Sequence, residues 1–205
     1  MLRRFVTLFA GLGGMGLSLA LLVRAQLGLD PWDVLNQGVA RHMGIQLGWA
    51  VDIIGAVVLL AWIPLRQRPG VGTLFNVVVV GLIVNWVLDV TPSFHALPAR
   101  VAVLGAAIVL NAVSTGCYIG AGLGPGPRDG LMTGFAAHGH SIRVARTIIE
   151  VSVLILGYFL GGSVGVGTVA YAICIGPLVH VFLPRLSLPA PVPRTRADKG
   201  ATCNS

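Results

Sequence analysis

The chain has 205 residues, of which 55% are hydrophobic and only 10% charged, with a mean hydropathy of +0.86 and a formal net charge of +7. Soluble domains carry about 25% charged residues, so this composition excludes a soluble globular domain and predicts a polytopic, all-α integral membrane protein. The basic excess is then expected to reflect orientation in a bilayer, not binding to nucleic acid.

In chain order, a short basic start at Arg3 and Arg4 precedes an apolar segment from Phe5 to Val23. Val23-Arg24-Ala25 resembles a signal cleavage site. An equivalent apolar segment, about Val101 to Ile119, lies mid-chain, so the first is expected to be a retained membrane span. The next stretch, Leu27 to His42, reads LGLDPWDVLNQGVARH, and Leu123 to His138 reads LGPGPRDGLMTGFAAH. Eight of the sixteen aligned positions are identical, where chance at average residue usage gives about one. This is an internal duplication.

Each copy reads as a chain break followed by a short helix. Asp30 is the expected N-cap, Pro31 the first helical position and Asp33 a carboxylate at the third; Gly126, Pro127 and Asp129 repeat the pattern. Proline at the first position loses no hydrogen bond, because that N–H is unpaired in any helix. A carboxylate in the first turn faces the positive end of the helix dipole. Pro31, Val34, Leu35, Gly38 and His42 form one stripe, and Asp33, Asn36, Gln37 and Arg41 the other. This predicts an amphipathic helix at the membrane interface or dipping part-way in.

A second span is expected over about Leu47 to Leu65 and a third from Gly70-Val71-Gly72-Thr73 to about Asp89. The second copy repeats the plan with spans over about Val101 to Ile119 and Val144 to Leu160, and a last one from Gly165-Val166-Gly167-Thr168 to near Leu183. Three spans per copy make the second enter the membrane upside down. The expected architecture is therefore six transmembrane helices in two inverted 3+3 repeats, about 1–90 and 97–185, each with a short interfacial or re-entrant helix after its first span. One membrane domain covers 1–186, and a Pro-rich cytoplasmic tail, expected to be disordered, covers 187–205. With both termini in the cytoplasm, eleven Lys and Arg residues lie inside and three outside (Arg24, Arg41 and Arg100), as the positive-inside rule requires.

The motifs LGLDPWDVL, IPLRQRPGVGT, LGPGPRDGLMTG and GGSVGVGT resemble the bacterial YczE/YitT-type membrane proteins, the YczE branch in particular, over most of residues 1–185. The resemblance implies a bacterial cytoplasmic (inner) membrane protein. It implies no substrate, and supplies no catalytic residue to carry over.

Inverted repeats with broken helices are the common build of secondary transporters. The leading expectation is a small-solute transporter or facilitator with its pathway between the repeats. The alternative is a non-transporting membrane subunit or a substrate-binding component of a larger membrane complex. No nucleophile–base set, Walker, Rossmann or zinc pattern is present, so no enzyme activity, cofactor or metal is expected. The expected partners are the bilayer, an unidentified small solute, and either a second copy of the chain or a partner subunit. Candidate pathway-lining residues are Asp30, Pro31, Asp33, Gly126, Pro127, Arg128 and Asp129 at the breaks. Asp52 and Glu150 are intramembrane carboxylates, and Thr73 and Thr168 belong to the GVGT helix starts.

Each candidate also has a plain structural reading. Capping explains Asp33 and Asp129 without a ligand, and Arg146 at i−4 can neutralise Glu150. The GVGT glycines suit close helix packing. Asn76 and Asn85 align with Tyr171 and His180, which suits either interhelical hydrogen bonds or a polar cavity. Arg128 stands where the first copy has Trp32. An arginine at a helix N-terminus opposes the dipole unless paired; it can pair with Asp129, bind an anion or enforce orientation. His138 and His140 lack a ligand pattern, and Cys117, Cys174 and Cys203 form no disulfide framework.

Overall fold

A computed structural model describes residues 1–137 and 141–188. His138, His140, Cys203 and the tail after Leu188 lie outside the described residues.

The described residues form eight helices: α1 (Leu2–Ala25), α2 (Pro31–Met43), α3 (Leu47–Ala61), α4 (Val71–Val90), α5 (Leu97–Gly120), α6 (Pro127–Ala137), α7 (Ile142–Phe159) and α8 (Val166–Leu186). Each expected element is present to within a few residues. Four helices, α1, α4, α5 and α8, are long and apolar enough to cross a bilayer. α2 and α3 bend by 114° at their junction and together are long and apolar enough for a fifth, broken span or a re-entrant loop. The expectation of six full spans is narrowed by simple geometry. α3 has 15 residues, roughly 22 Å at 1.5 Å per residue, against a hydrocarbon core of about 30 Å. α7 has 18 residues and carries Arg143, Arg146 and Glu150 in its first half.

The centre is α1 against α5, the two corresponding apolar segments. Their small residues allow the backbones to approach. A Cβ on Gly11 would lie 2.7 Å from Tyr118 N, and one on Gly14 would lie 2.1 Å from Ser114 Oγ. Ser18 Oγ, fully buried, donates to Ala107 O at 2.7 Å. Small-residue contact with one interhelical hydrogen bond is what helix pairing in lipid rests on, since lipid tails remove the hydrophobic drive. On α4, Leu74, Val78, Leu82 and Trp86 recur every fourth residue and are 47–67% exposed. A stripe of this size facing water would be an aggregation liability; facing lipid it costs nothing.

The helix starts at the two GVGT motifs dock reciprocally on the two chain breaks. Gly72 N–H donates to Leu123 O at 2.9 Å, and Gly167 N–H donates to Leu27 O at 2.7 Å. Thr73 Oγ1 accepts from Gly70 N–H at 3.1 Å and donates to Pro125 O at 2.7 Å; Thr168 Oγ1 accepts from Gly165 N–H at 3.3 Å. Each threonine closes its own helix N-terminus, while the glycines let the other half's backbone come in. Leu27 corresponds to Leu123, and Gly72 to Gly167, so each half holds the other through one and the same contact.

The halves differ at one seam. α3 packs closely on α4, where Gly48 N–H donates to Asn85 Oδ1 at 2.7 Å and a Cβ on Gly81 would lie 2.3 Å from Gly48 O. The corresponding α7 stands off α8: a Cβ on Gly176, the counterpart of Gly81, would meet no described atom within 4 Å. Gly81→Ala is therefore expected to lower the thermal midpoint of the detergent-solubilised protein, at a cost of about 1–3 kcal/mol from overpacking. Gly176→Ala should leave it unchanged. Equal effects from the two substitutions would show that the seams are alike.

Candidate functional site

The α2 N-terminus forms as its residues dictate. Asp30 is an extended N-cap whose Oδ1 accepts from Asp33 N–H at 2.8 Å, and Pro31 follows as the first helical residue. Asp33 and Asn36 of the helix's polar stripe are 2% and 1% exposed, and Val34 of its apolar stripe 0%. α7 closes over α2: a Cβ on Gly157 would lie 2.5 Å from Leu35 N. The polar stripe faces protein, because its charges find their partners there.

That partner is Arg128, in the first turn of α6. Its Nη2 lies 2.8 Å from Asp33 Oδ1 and its Nη1 3.5 Å from Asp30 Oδ2. The guanidinium also sits over the Trp32 ring, 5.4 Å from the centroid, within cation–π range. Arg128 pairs as expected, but with the opposite break and not with Asp129. Energy decides this. An arginine in a first turn costs about 0.3–1 kcal/mol against the dipole, whereas an uncompensated buried charge costs about 3–5 kcal/mol. It follows that Arg128, counted above among the cytoplasmic loop charges, is an internal counter-ion.

The two breaks border a cavity of about 420 Å³. Asp30, Pro31, Asp33, Gly126, Pro127, Arg128, Asp129 and Glu150 all line it, together with Trp32, Asn36, Asn76, Tyr118, Arg146 and Tyr171. Asp129 is exposed towards it and has no ion pair among the described residues. Glu150 pairs with Arg146 at 2.8 Å, as the i,i+4 spacing predicts. Asp52, Thr73 and Thr168 fall outside the lining. Asp52 lies against Gly81 in the closed seam, and the threonines fasten the breaks. Asn85 serves an interhelical hydrogen bond, while Asn76 faces the cavity with its Nδ2 unpartnered among the described residues. No group of three or more His, Cys, Asp or Glu among the described residues could hold a metal.

Trp62 was not singled out by the sequence. It is 1% exposed, its Nε1–H donates to Pro127 O at 3.0 Å, and its ring fills the space over Gly130. Its counterpart at the 95-residue offset of the GVGT motifs is Gly157. Half one thus props α6 on an indole where half two presses α7 directly onto the α2 backbone. That Trp-for-Gly exchange was the available signal.

Comparison with known proteins places residues 2–184 under a family model described as "Family of unknown function (DUF6198)". An uncharacterized protein of Haemophilus influenzae is 41% identical over 179 residues, covering 87% of this chain and 82% of the relative. The uncharacterized membrane protein YczE of Bacillus subtilis is 30% identical over 185 residues, covering 89% and 86%. The uncharacterized protein YyaS of the same organism is 27% identical over 184 residues, covering 86% and 92%. No solved structure matches.

Arg128→Gln is expected to destabilise the protein by about 3–5 kcal/mol, because it strands two buried carboxylates. Adding Asp33→Asn should recover part of that loss, with a coupling of about 1 kcal/mol or more in a double-mutant cycle read by thermal unfolding. Strictly additive losses would show that the pair is not coupled.

Proposed function

We propose that this chain, which belongs to the family of unknown function DUF6198, is a small-solute transporter or facilitator of the bacterial cytoplasmic membrane. Its pathway runs through the cavity between the two chain breaks. The observation that carries the reading is the cavity itself: 420 Å³, within the range of about 300–1,000 Å³ typical of small-molecule sites, and lined from both halves by helix N-termini. Interrupted backbone at membrane depth is tolerated where it is buried in protein or lines a water-filled space, and two such ends meet here.

The finer architecture is part of the same proposal. The chain crosses the membrane six times as two inverted repeats, α3 and α7 being short or charged spans. The reciprocal docking supports a two-fold relation, since contacts of i with j and j with i are what such a relation produces. Positions 32 and 128, equivalent in the duplication, touch each other, as residues near such an axis do. Cytoplasmic termini are supported by the three arginines assigned outside. Arg100 donates to Ala25 O, Arg24 to Leu88 O and Arg41 to Gly161 O. Each caps carbonyls at or near the C-terminal end of a helix that this topology ends on the outer face, so each has a structural reason to depart from the positive-inside rule. The open α7–α8 seam and closed α3–α4 seam suit a carrier resting with one side accessible.

Two measurements test the reading. Single cysteines labelled in intact cells should react from outside at Met43 and His95, and only after permeabilisation at Gln67 and Arg143. Labelling of Gln67 and Arg143 from opposite sides would refute the inverted repeat. In proteoliposomes, Asp33→Asn and Asp129→Asn should reduce solute flux about tenfold or more, while Leu74→Ala, on the lipid face, leaves it unchanged. Full flux in both Asn variants would move the pathway elsewhere.

A further inference from the structure

The cavity's charge is unequal. Four carboxylates line it, Asp30, Asp33, Asp129 and Glu150, against two guanidiniums, Arg128 and Arg146. Arg128 is already held by two carboxylates and Arg146 by one. Each guanidinium is thus already charge-compensated by a carboxylate, and Asp129 remains with no ion pair among the described residues.

The uncharged groups add a second, independent observation. Trp32 and Asn36 are 6% and 1% exposed, and among the described residues Trp32 Nε1 and Asn36 Oδ1 have no hydrogen-bond partner; Tyr118, 2% exposed, lines the same space. Leaving a buried polar group unpaired costs about 1–3 kcal/mol, so two orphans on residues that line one space point to an occupant. The Asn36 amide is oriented by chemistry: its Nδ2 donates to Asp33 Oδ1 at 2.9 Å, which turns Oδ1 away as an acceptor needing a donor. Trp32 Nε1–H is a donor needing an acceptor, and the tyrosine hydroxyl does either.

We infer that the cavity binds a small organic cation, an ammonium or guanidinium compound that also carries a hydroxyl or carbonyl oxygen. Its N–H groups meet the Asp129 carboxylate and Asn36 Oδ1, and its oxygen accepts from the Trp32 indole or the Tyr118 hydroxyl. This rests on the reading of the cavity as a solute site and adds the sign and hydrogen-bonding pattern of the solute. A free anion is disfavoured because carboxylates outnumber guanidiniums four to two around the space.

The test uses the full-length protein in nanodiscs, read by thermal unfolding and tryptophan fluorescence, with a matched set of probes. Ethanolammonium and glycinamide hydrochloride carry the predicted pattern; glycolate is the anionic counterpart and ethylene glycol the neutral one. Both cations should stabilise the protein saturably. Asp129→Asn should weaken that affinity about tenfold, Asp129→Glu should keep it, and Leu74→Ala should not change it. Asp129 is exposed and outside every ion pair among the described residues, so its substitution does not strand a buried charge. Stabilisation by glycolate in place of the cations, or equally by ethylene glycol, overturns the cation inference and leaves the cavity a solute site. Stabilisation by no probe, with Asp129→Asn indistinguishable from the parent protein, overturns both.

Discussion

The structure depends on one guanidinium placed between two buried carboxylates of the opposite half. Asp30 and Asp33 do local work at the start of α2, but that work buries two negative charges with side chains 6% and 3% exposed. Desolvating each costs several kcal/mol, which capping at about 1 kcal/mol does not offset. Arg128 supplies the difference, and it reaches them only if α6 begins beside α2. The position of the second chain break is therefore fixed by the electrostatics of the first. The duplication could not stay symmetric here. Two arginines at positions 32 and 128 would repel each other, and two tryptophans would leave the carboxylates uncompensated.

Around this pair the two halves grip each other through backbone. The GVGT starts present N–H groups that no intrahelical carbonyl can satisfy, and the chain breaks present carbonyls left over where α1 and α5 have ended. Each half's deficit is the other's surplus. Glycine is required because the approaching backbone occupies the space of a side chain; a Cβ on Gly70 would lie 2.3 Å from Leu123 O, and one on Gly165 would lie 2.4 Å from Leu27 O. This arrangement satisfies irregular backbone inside a membrane without water, while keeping the first turns of α2 and α6 open to a shared space.

The local chemistry was legible in the sequence. The duplication, the two helix starts at Pro31 and Pro127, the packing role of the GVGT glycines and the Arg146–Glu150 pair all follow from spacings of three or four residues. What each helix faces was not. Periodicity gives α2 a polar stripe, but only the tertiary arrangement brings Asp33 of that stripe to Arg128. Trp62 and Gly157 differ in size at matching positions, yet their consequence, one half propped and the other pressed, appears only when α3 meets α6 and α7 meets α2. The same holds for the unequal seams at Gly81 and Gly176, since identical residues sit in one packed and one open environment.

The reciprocal docking of each GVGT start on the other half's chain break brings residues of the two halves within crosslinking distance, so paired cysteines can detect it. In a background with Cys117, Cys174 and Cys203 replaced, Gly72→Cys with Leu123→Cys places two Cβ atoms about 3.3 Å apart, close to disulfide range. Gly167→Cys with Leu27→Cys is the corresponding pair. Mild oxidation in native membranes, read by mass spectrometry of intramolecular crosslinks, should join both pairs within one chain. Failure of both pairs, with crosslinks formed only between molecules, would contradict the docking and with it the shared cavity.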